Sequence, residues 1–171
     1  MSESVSTNEH REAAPESIRV AVLTLSDTRT KETDKSGQFI RQALDWAGHS
    51  VVDYQIRPDD PTQITELIHI WASRDDLDAI LTNGGTGIAK RDSTYDAIAA
   101  LLEKQLVGFG ELFRMLSYEQ IGAAAMLSRA TAGTIGNKIV ISMPGSSNAV
   151  QLAMEKLILS EIRHLVYELR K

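Results

Sequence analysis

The sequence predicts an α/β fold: a three-layer, doubly wound, mostly parallel sheet with helices on both faces and a small hairpin. Three observations carry that expectation. Segments of strand length stand at 18–25, 51–56 and 79–82, and the first is a β-branched and aliphatic run too continuously apolar for a strand with one wet face. Between them lie two stretches, 36–47 and 62–72, whose apolar residues recur at helical spacing. Strand, helix, strand, helix, strand in this order implies parallel pairing through right-handed crossovers, which places helices on both faces.

Taken in order, residues 1–17 are polar and aperiodic with Pro15 near their end. They read as a flexible arm ahead of a single domain spanning 18–171. The first strand runs into Ser26-Asp27-Thr28-Arg29 and a polar stretch, after which Ser36 is placed to cap a helix. Phe39, Ile40, Ala43, Leu44 and Ala47 share one face of it, and Gly48 ends it. Arg57-Pro58-Asp59-Asp60-Pro61 forms the turn between the second strand and the second helix. Past the third strand the pattern loosens into a short helix near 95–103, a longer one near 111–121 and a hairpin around 134–137. A strand at 139–143 then leads through Pro144-Gly145-Ser146-Ser147 into a closing helix, 148–169. There Val150, Met154, Leu157, Ile158 and Leu165 recur at helical spacing. Trp46 and Trp71 fall on helix faces and read as packing residues.

Composition narrows the function. With 171 residues, 43% hydrophobic and 24% charged, the chain is globular and long enough for a substantial core. Its 0 cysteines exclude a cysteine nucleophile, a thiolate zinc site and an iron–sulfur cluster. Without a charged-then-apolar leader or an apolar run of membrane-spanning length, it reads as cytoplasmic, with no membrane partner. A net charge of -5 and no basic run argue against nucleic-acid binding, so attraction for an anionic ligand has to be local. His10, His49, His69 and His164 fall in separate elements without ligand-like spacing and carry no chemistry.

The strongest local signal is Gly84-Gly85-Thr86-Gly87, directly after the third strand, followed by Arg91-Asp92. Glycines there permit positive φ and let main-chain N–H groups approach a ligand without Cβ interference. In an open α/β sheet the crevice at the carboxyl ends of the strands is where ligands bind. The plain alternative is an ordinary tight turn. A Walker loop does not fit, because no Gly-Lys-Ser/Thr follows four spacer residues. Nor does the dinucleotide fingerprint, which needs glycine where Lys90 stands.

A second anion-directed turn is Pro144-Gly145-Ser146-Ser147, which opens the last helix at its positive end; Ser146 or Ser147 serving only as a helix cap is the alternative. One helix end contributes about 0.3–1 kcal/mol toward an anion, too little to retain a polyphosphate. Arginine and a divalent cation must add the rest. Asp92 and Asp59 are the candidate ligands, since Mg²⁺ takes one or two carboxylates together with phosphate oxygens. Asp60 is a possible substitute, and Asp59 alternatively only forms the turn beside Pro58. Ser26 and Asp27 end the first strand at the same rim and offer hydrogen bonds to a polar heterocycle or to metal-bound water.

These residues bring a family with them: the chain resembles the MoaB and MogA proteins of molybdenum cofactor biosynthesis, related to the G domain of gephyrin, and is most similar to the MoaB branch. The resemblance runs from about 18 to 166 and rests on Leu25-Ser26-Asp27, Asp34-Lys35-Ser36-Gly37, Gly84-Gly85-Thr86-Gly87, Arg91-Asp92, Gly108-Phe109-Gly110-Glu111, Ser128-Arg129-Ala130 and Met143-Pro144-Gly145-Ser146. It implies Mg²⁺- and ATP-dependent adenylylation of molybdopterin, giving adenylyl-molybdopterin and pyrophosphate. On that scheme Gly84, Gly85, Thr86 and Gly87 hold nucleotide phosphates, Asp92 with Asp59 positions Mg²⁺, and Arg91 offsets developing charge. Ser26, Asp27, Pro144, Gly145, Ser146 and Ser147 bind the pterin or its phosphate, and Ser93, within Arg91-Asp92-Ser93-Thr94, and Glu111, within Gly108-Phe109-Gly110-Glu111, join the binding residues. Some MoaB members lack the Arg-Asp pair, which this chain keeps. The resemblance also implies a trimer or hexamer and contact with other proteins of the pathway. A non-catalytic pterin carrier is the alternative within the same family.

Overall fold

The computed structural model of the chain describes residues 13–89 and 92–171. Strand β1 (Arg19–Leu25) is buried along nearly its whole length. Val20 and Val22 enter one core, while Ala21, Leu23 and Leu25 enter another on the opposite face. Two-sided burial is why that run is continuously apolar. β3 (Ala79–Asn83) and β6 (Lys138–Met143) repeat the arrangement. With β2 (Ser50–Arg57), β4 (Lys104–Gln105) and β5 (Thr131–Ile135) they form a six-stranded sheet in the order β2-β1-β3-β6-β5-β4. β2, β1, β3 and β6 are parallel; β5 runs antiparallel to β6, and β4 to β5.

Helix α1 (Lys35–Trp46), helix α4 (Val107–Ile121) and the closing helix cover the first core through Ile40, Leu44, Phe113, Val150 and Ile162. α2 (Pro61–Ala72) and α3 (Thr94–Leu101) cover the second through Ile64, Ile68, Trp71 and Ile98. This is the mostly parallel, doubly wound α/β architecture that the sequence predicts. Its register decides where chemistry can sit. Leu25 pairs with Arg57, and Asn83 pairs with Thr24 on one side and Met143 on the other. The four parallel strands therefore end at a common rim.

Several elements depart from the sequence reading, each for a local reason. α1 is capped by Asp34, which accepts from Gly37 N at 3.0 Å, while the expected cap, Ser36, lies in the first turn and donates to Gly145 O at 2.9 Å. α4 starts at Val107 rather than near 111: its N-terminus has no side-chain cap, and Gly108 and Gly110 disguise its first turn. Gly110 is required by close packing, since a Cβ there would stand 2.7 Å from Ala130 O. β4 carries no signal of its own in two exposed polar residues. The closing helix is α5 (Ser147–Ala153), a π turn (Met154–Ile158) and α6 (Leu159–Arg170).

The hairpin is present, with Gly136 at φ +55°, the first of two residues joining β5 to β6, where a type II′ turn needs positive φ. Trp71 is a core residue, but Trp46 is 82% exposed and packs nothing into the core. Of the expected arm, residues 1–12 lie outside the described residues. Ala14, by contrast, is buried, and Arg163 donates to Pro15 O at 2.6 Å and to Ala14 O at 3.4 Å, so the fold holds the end of that segment in place.

Candidate functional site

The glycine turn leaves β3 at the rim, and each of its glycines meets a different neighbour. Gly84 donates to Met143 O at 3.0 Å and has φ +100°; a Cβ there would stand 2.4 Å from Leu25 O. Gly85, at φ +62°, comes so close to the turn between β2 and α2 that a Cβ would stand 3.2 Å from Oδ2 of Asp59. Gly87 lacks a positive φ and is glycine for proximity alone, because a Cβ would fall 2.2 Å from Oδ2 of Asp92. Both candidate metal ligands thus abut the glycine turn where a side chain would otherwise intervene.

The carboxylates are held from behind. Asp59 accepts a hydrogen bond from Thr94 Oγ1, a fully buried hydroxyl at the start of α3, and its own N–H donates to Oδ1 of Asp27 at 3.3 Å. Asp92 Oδ2 accepts from Ala89 N at 3.0 Å, and Asp92 N donates back to Ala89 O at 2.8 Å. Asp60 is no substitute ligand: its carboxylate caps α2, accepting from the N–H groups of Thr62 and Gln63. Ser26 Oγ accepts from Thr28 N and Arg29 N at 3.3 and 3.2 Å, which shapes the turn after β1. Leu25, Ser26, Asp27, Asp59, Gly85 and Asp92 together line a cavity of about 220 Å³.

The second turn adjoins the first. A Cβ on Gly145 would stand 3.0 Å from Gly84 Cα, and Gly145 O accepts from Ser36 Oγ and, at 3.1 Å, from Arg29 Nη2. Arg29 is anchored in turn by Asp34 at 3.3 Å. Burial works against the Asp34 charge, but hydrogen bonds from Thr24 Oγ1, Tyr54 Oη and Gly37 N, with Arg29 beside it, outweigh burial and hold its carboxyl below the usual range. Burial and the Asp34 carboxylate push the Tyr54 phenol up to about 12. Ser146 caps α5, accepting from Ala149 N at 3.3 Å, and Pro144 and Ser147 flank it in the same turn.

Of the sequence candidates, Ser26, Asp27, Asp59, Gly85 and Asp92 converge on one cavity, with Gly84, Thr86 and Gly87 in the adjoining turn. Arg91 lies outside the described residues. Ser93 precedes α3 without a side-chain capping bond and is not among the cavity residues. Glu111 is exposed on α4 and does not line this cavity either. Thr94 and Arg129 were missed as contributors, although both stand inside motifs the sequence offered. Among the described residues no group of three or more His, Asp or Glu forms a metal cage. None of their helices is long and apolar enough to cross a membrane.

An open parallel sheet with a glycine turn, a helix-opening turn and three carboxylates at its carboxyl rim defines the class: an α/β protein with its crevice at the strand ends. Residues 21–164 match the family described as a probable molybdopterin binding domain, and the chain belongs to that family. It is 56% identical over 168 residues to a molybdenum cofactor biosynthesis protein B of Bacillus anthracis, covering 98% of this chain and 99% of the relative. Among solved structures it is similar to a molybdenum cofactor biosynthesis protein B at 57% identity and TM-score 0.89, covering 92% of this chain and 98% of that one. It is similar as well to the tungsten cofactor synthesizing protein MoaB of Pyrococcus furiosus, at 40% identity and TM-score 0.80, covering 92% and 100%.

Proposed function

We propose that this protein acts in molybdenum cofactor biosynthesis as a Mg²⁺- and ATP-dependent molybdopterin adenylyltransferase. Its family and its likeness to molybdenum cofactor biosynthesis proteins B support the pathway and the pterin. The observation that carries the reaction is the cavity that Asp27, Asp59 and Asp92 line together with Gly85. Three carboxylates repel a phosphate unless a cation stands between them. The donor set suits Mg²⁺, which prefers one or two carboxylates and phosphate oxygens to an all-protein cage. The missing side chains at Gly85 and Gly87 let the Asp59 and Asp92 carboxylates stand directly against the loop. When bound, the cation lessens the repulsion between the two reacting phosphates.

In the reaction an oxygen of the pterin's terminal phosphate bonds to the α-phosphorus of ATP. The bond from that phosphorus to the α–β bridging oxygen breaks, and pyrophosphate leaves with the electron pair. The attacking group is already an anion, so no serine or cysteine nucleophile is needed and catalysis reduces to alignment and charge. Main-chain N–H groups of the glycine turn hold the nucleotide phosphates, and Thr94 fixes Asp59. Ser26, Asp27 and the 144–147 turn hold the pterin side, and Arg91, next to Asp92 in sequence, offsets developing charge. The same reading includes a trimer or hexamer. Exposed Val107, Leu112, Met115, Tyr118 and Ile121 give α4 an apolar surface that a second copy covers.

Incubation with molybdopterin, ATP and Mg²⁺ is expected to release pyrophosphate and form adenylyl-molybdopterin, and Asp92→Ala to abolish both while the fold stays intact, at a stability loss of about 1 kcal/mol for the lost bond from Ala89 N. No turnover by the intact protein, with molybdopterin binding indifferent to ATP and Mg²⁺, refutes the reaction and leaves a pterin carrier.

A further inference from the structure

Arg129 stands in the connection before β5 and lines no part of the cavity, yet its guanidinium is wholly engaged with the segment that builds it. Nε donates to Thr86 O at 3.0 Å. Nη2 donates to Gly87 O at 2.6 Å and to Asp92 O at 3.2 Å. Nη1 donates to both oxygens of Asp96 at 3.0 and 3.1 Å, and the group lies 4.4 Å from the centre of the Tyr95 ring. All three nitrogens of the fork are occupied.

Its loop partners are main-chain oxygens, and that determines where the amides point. In a trans peptide the carbonyl and the N–H that follows it face opposite ways, and the described chain has no cis bonds. With the carbonyls of Thr86, Gly87 and Asp92 drawn onto Arg129, the N–H groups of Gly87, Ile88 and Ser93 are turned away from it. Among the described residues those N–H groups meet no acceptor.

We infer that Arg129 is a positioning residue for the nucleotide half of the site. It orients the amides of the glycine turn to receive polyphosphate, and it ties the backbone of Asp92 to the same fork so that the carboxylate stands at the cation. This rests on the adenylylation reading and adds the group that organises its nucleotide subsite. Saturated as it is, Arg129 acts through the loop and does not itself contact phosphate. Lysine cannot replace it, because a single ammonium on a flexible stem cannot span carbonyls that a rigid planar fork bridges.

The test is calorimetric titration of full-length Arg129→Lys with ATP and Mg²⁺ and, separately, with molybdopterin. Nucleotide affinity is expected to fall by about ten-fold or more, the loss when charge-assisted alignment goes, while pterin affinity stays at the wild-type value. In turnover the KM for ATP and the Mg²⁺ requirement rise and kcat falls, whereas the KM for molybdopterin holds. Methylguanidinium, but not methylammonium, restores nucleotide binding to Arg129→Ala. If Arg129→Lys folds poorly, Asp96→Ala, at an exposed position, frees one arm of the fork and weakens nucleotide alone by about three-fold. Wild-type nucleotide affinity in these variants, or equal weakening of nucleotide and pterin, overturns the inference and leaves the adenylylation reading standing. A wild type that binds molybdopterin but no ATP with Mg²⁺ removes both.

Discussion

Replacing Gly87 by alanine isolates the contact that sets Asp92. The backbone there is outside the left-handed region, so alanine meets no φ penalty, and any effect has to come through space. Its Cβ would stand 2.2 Å from Oδ2 of Asp92 and 2.8 Å from its Cγ, whereas ordinary contact begins near 3.4 Å. The carboxylate must retreat by roughly 1 Å, and a misplacement of that size costs about 10²-fold in rate, or about 2.7 kcal/mol of transition-state stabilisation. The same movement stretches the bond from Ala89 N to Oδ2, so the stability loss is only about 1 kcal/mol. Pyrophosphate release at saturating molybdopterin, ATP and Mg²⁺, measured beside thermal unfolding, separates the two effects. Turnover by Gly87→Ala within about two-fold of wild type, far short of the loss a 1 Å displacement brings, refutes the placement of Asp92 at the reacting phosphates.

Thr94→Val removes the hydroxyl that donates to Asp59; turnover is expected to fall about ten-fold with a stability loss of about 1 kcal/mol, read by pyrophosphate release and by urea unfolding. Asp34 has a depressed folded-state pKa, so its stabilisation is present above the unfolded value of about 3.9 and disappears as pH falls through the folded one. Asp34→Asn should therefore melt below the wild type at neutral pH and converge with it in acid. Tyr54, raised to about 12, contributes in full below its unfolded value of about 10 and loses that contribution as pH climbs through the folded one. Melting curves of Tyr54→Phe should lack that alkaline loss. Met115→Glu places a charge on the apolar surface of α4, and light scattering should report a smaller assembly than the wild type.

Much of this architecture was legible because burial leaves a pattern. β1 and β3 are covered on both faces, so their runs are apolar throughout, and the α1 and α2 faces follow from 3.6-residue spacing. The start of α4 was not legible, because its N-terminus has no side-chain cap and Gly110 serves close approach to Ala130 O rather than helix propensity. β4 was hidden because its two residues are polar and exposed. At the site, residues that leave strand ends could be placed at the rim from order alone, which is why Ser26, Asp27, Asp59 and Asp92 were expected together where they line one cavity. Which of Asp59 and Asp60 faces the cavity depended on the α2 cap. Thr94 and Arg129 act on groups far away in sequence, at separations of 35 and 43 residues for Asp59 and Thr86, so no spacing rule exposes them.

Whether Asp59 and Asp92 hold a cation against nucleotide on the glycine turn is decided by a crystal structure of the protein with a non-hydrolysable ATP analogue and Mn²⁺ in place of Mg²⁺, recorded with anomalous scattering. One anomalous peak is expected within coordination distance of the Asp59 and Asp92 carboxylates, with the nucleotide phosphates against the N–H groups of residues 85–88. A peak elsewhere, or nucleotide bound away from the glycine turn while this cavity stays free of both, rules out Asp59 and Asp92 as the cation's ligands.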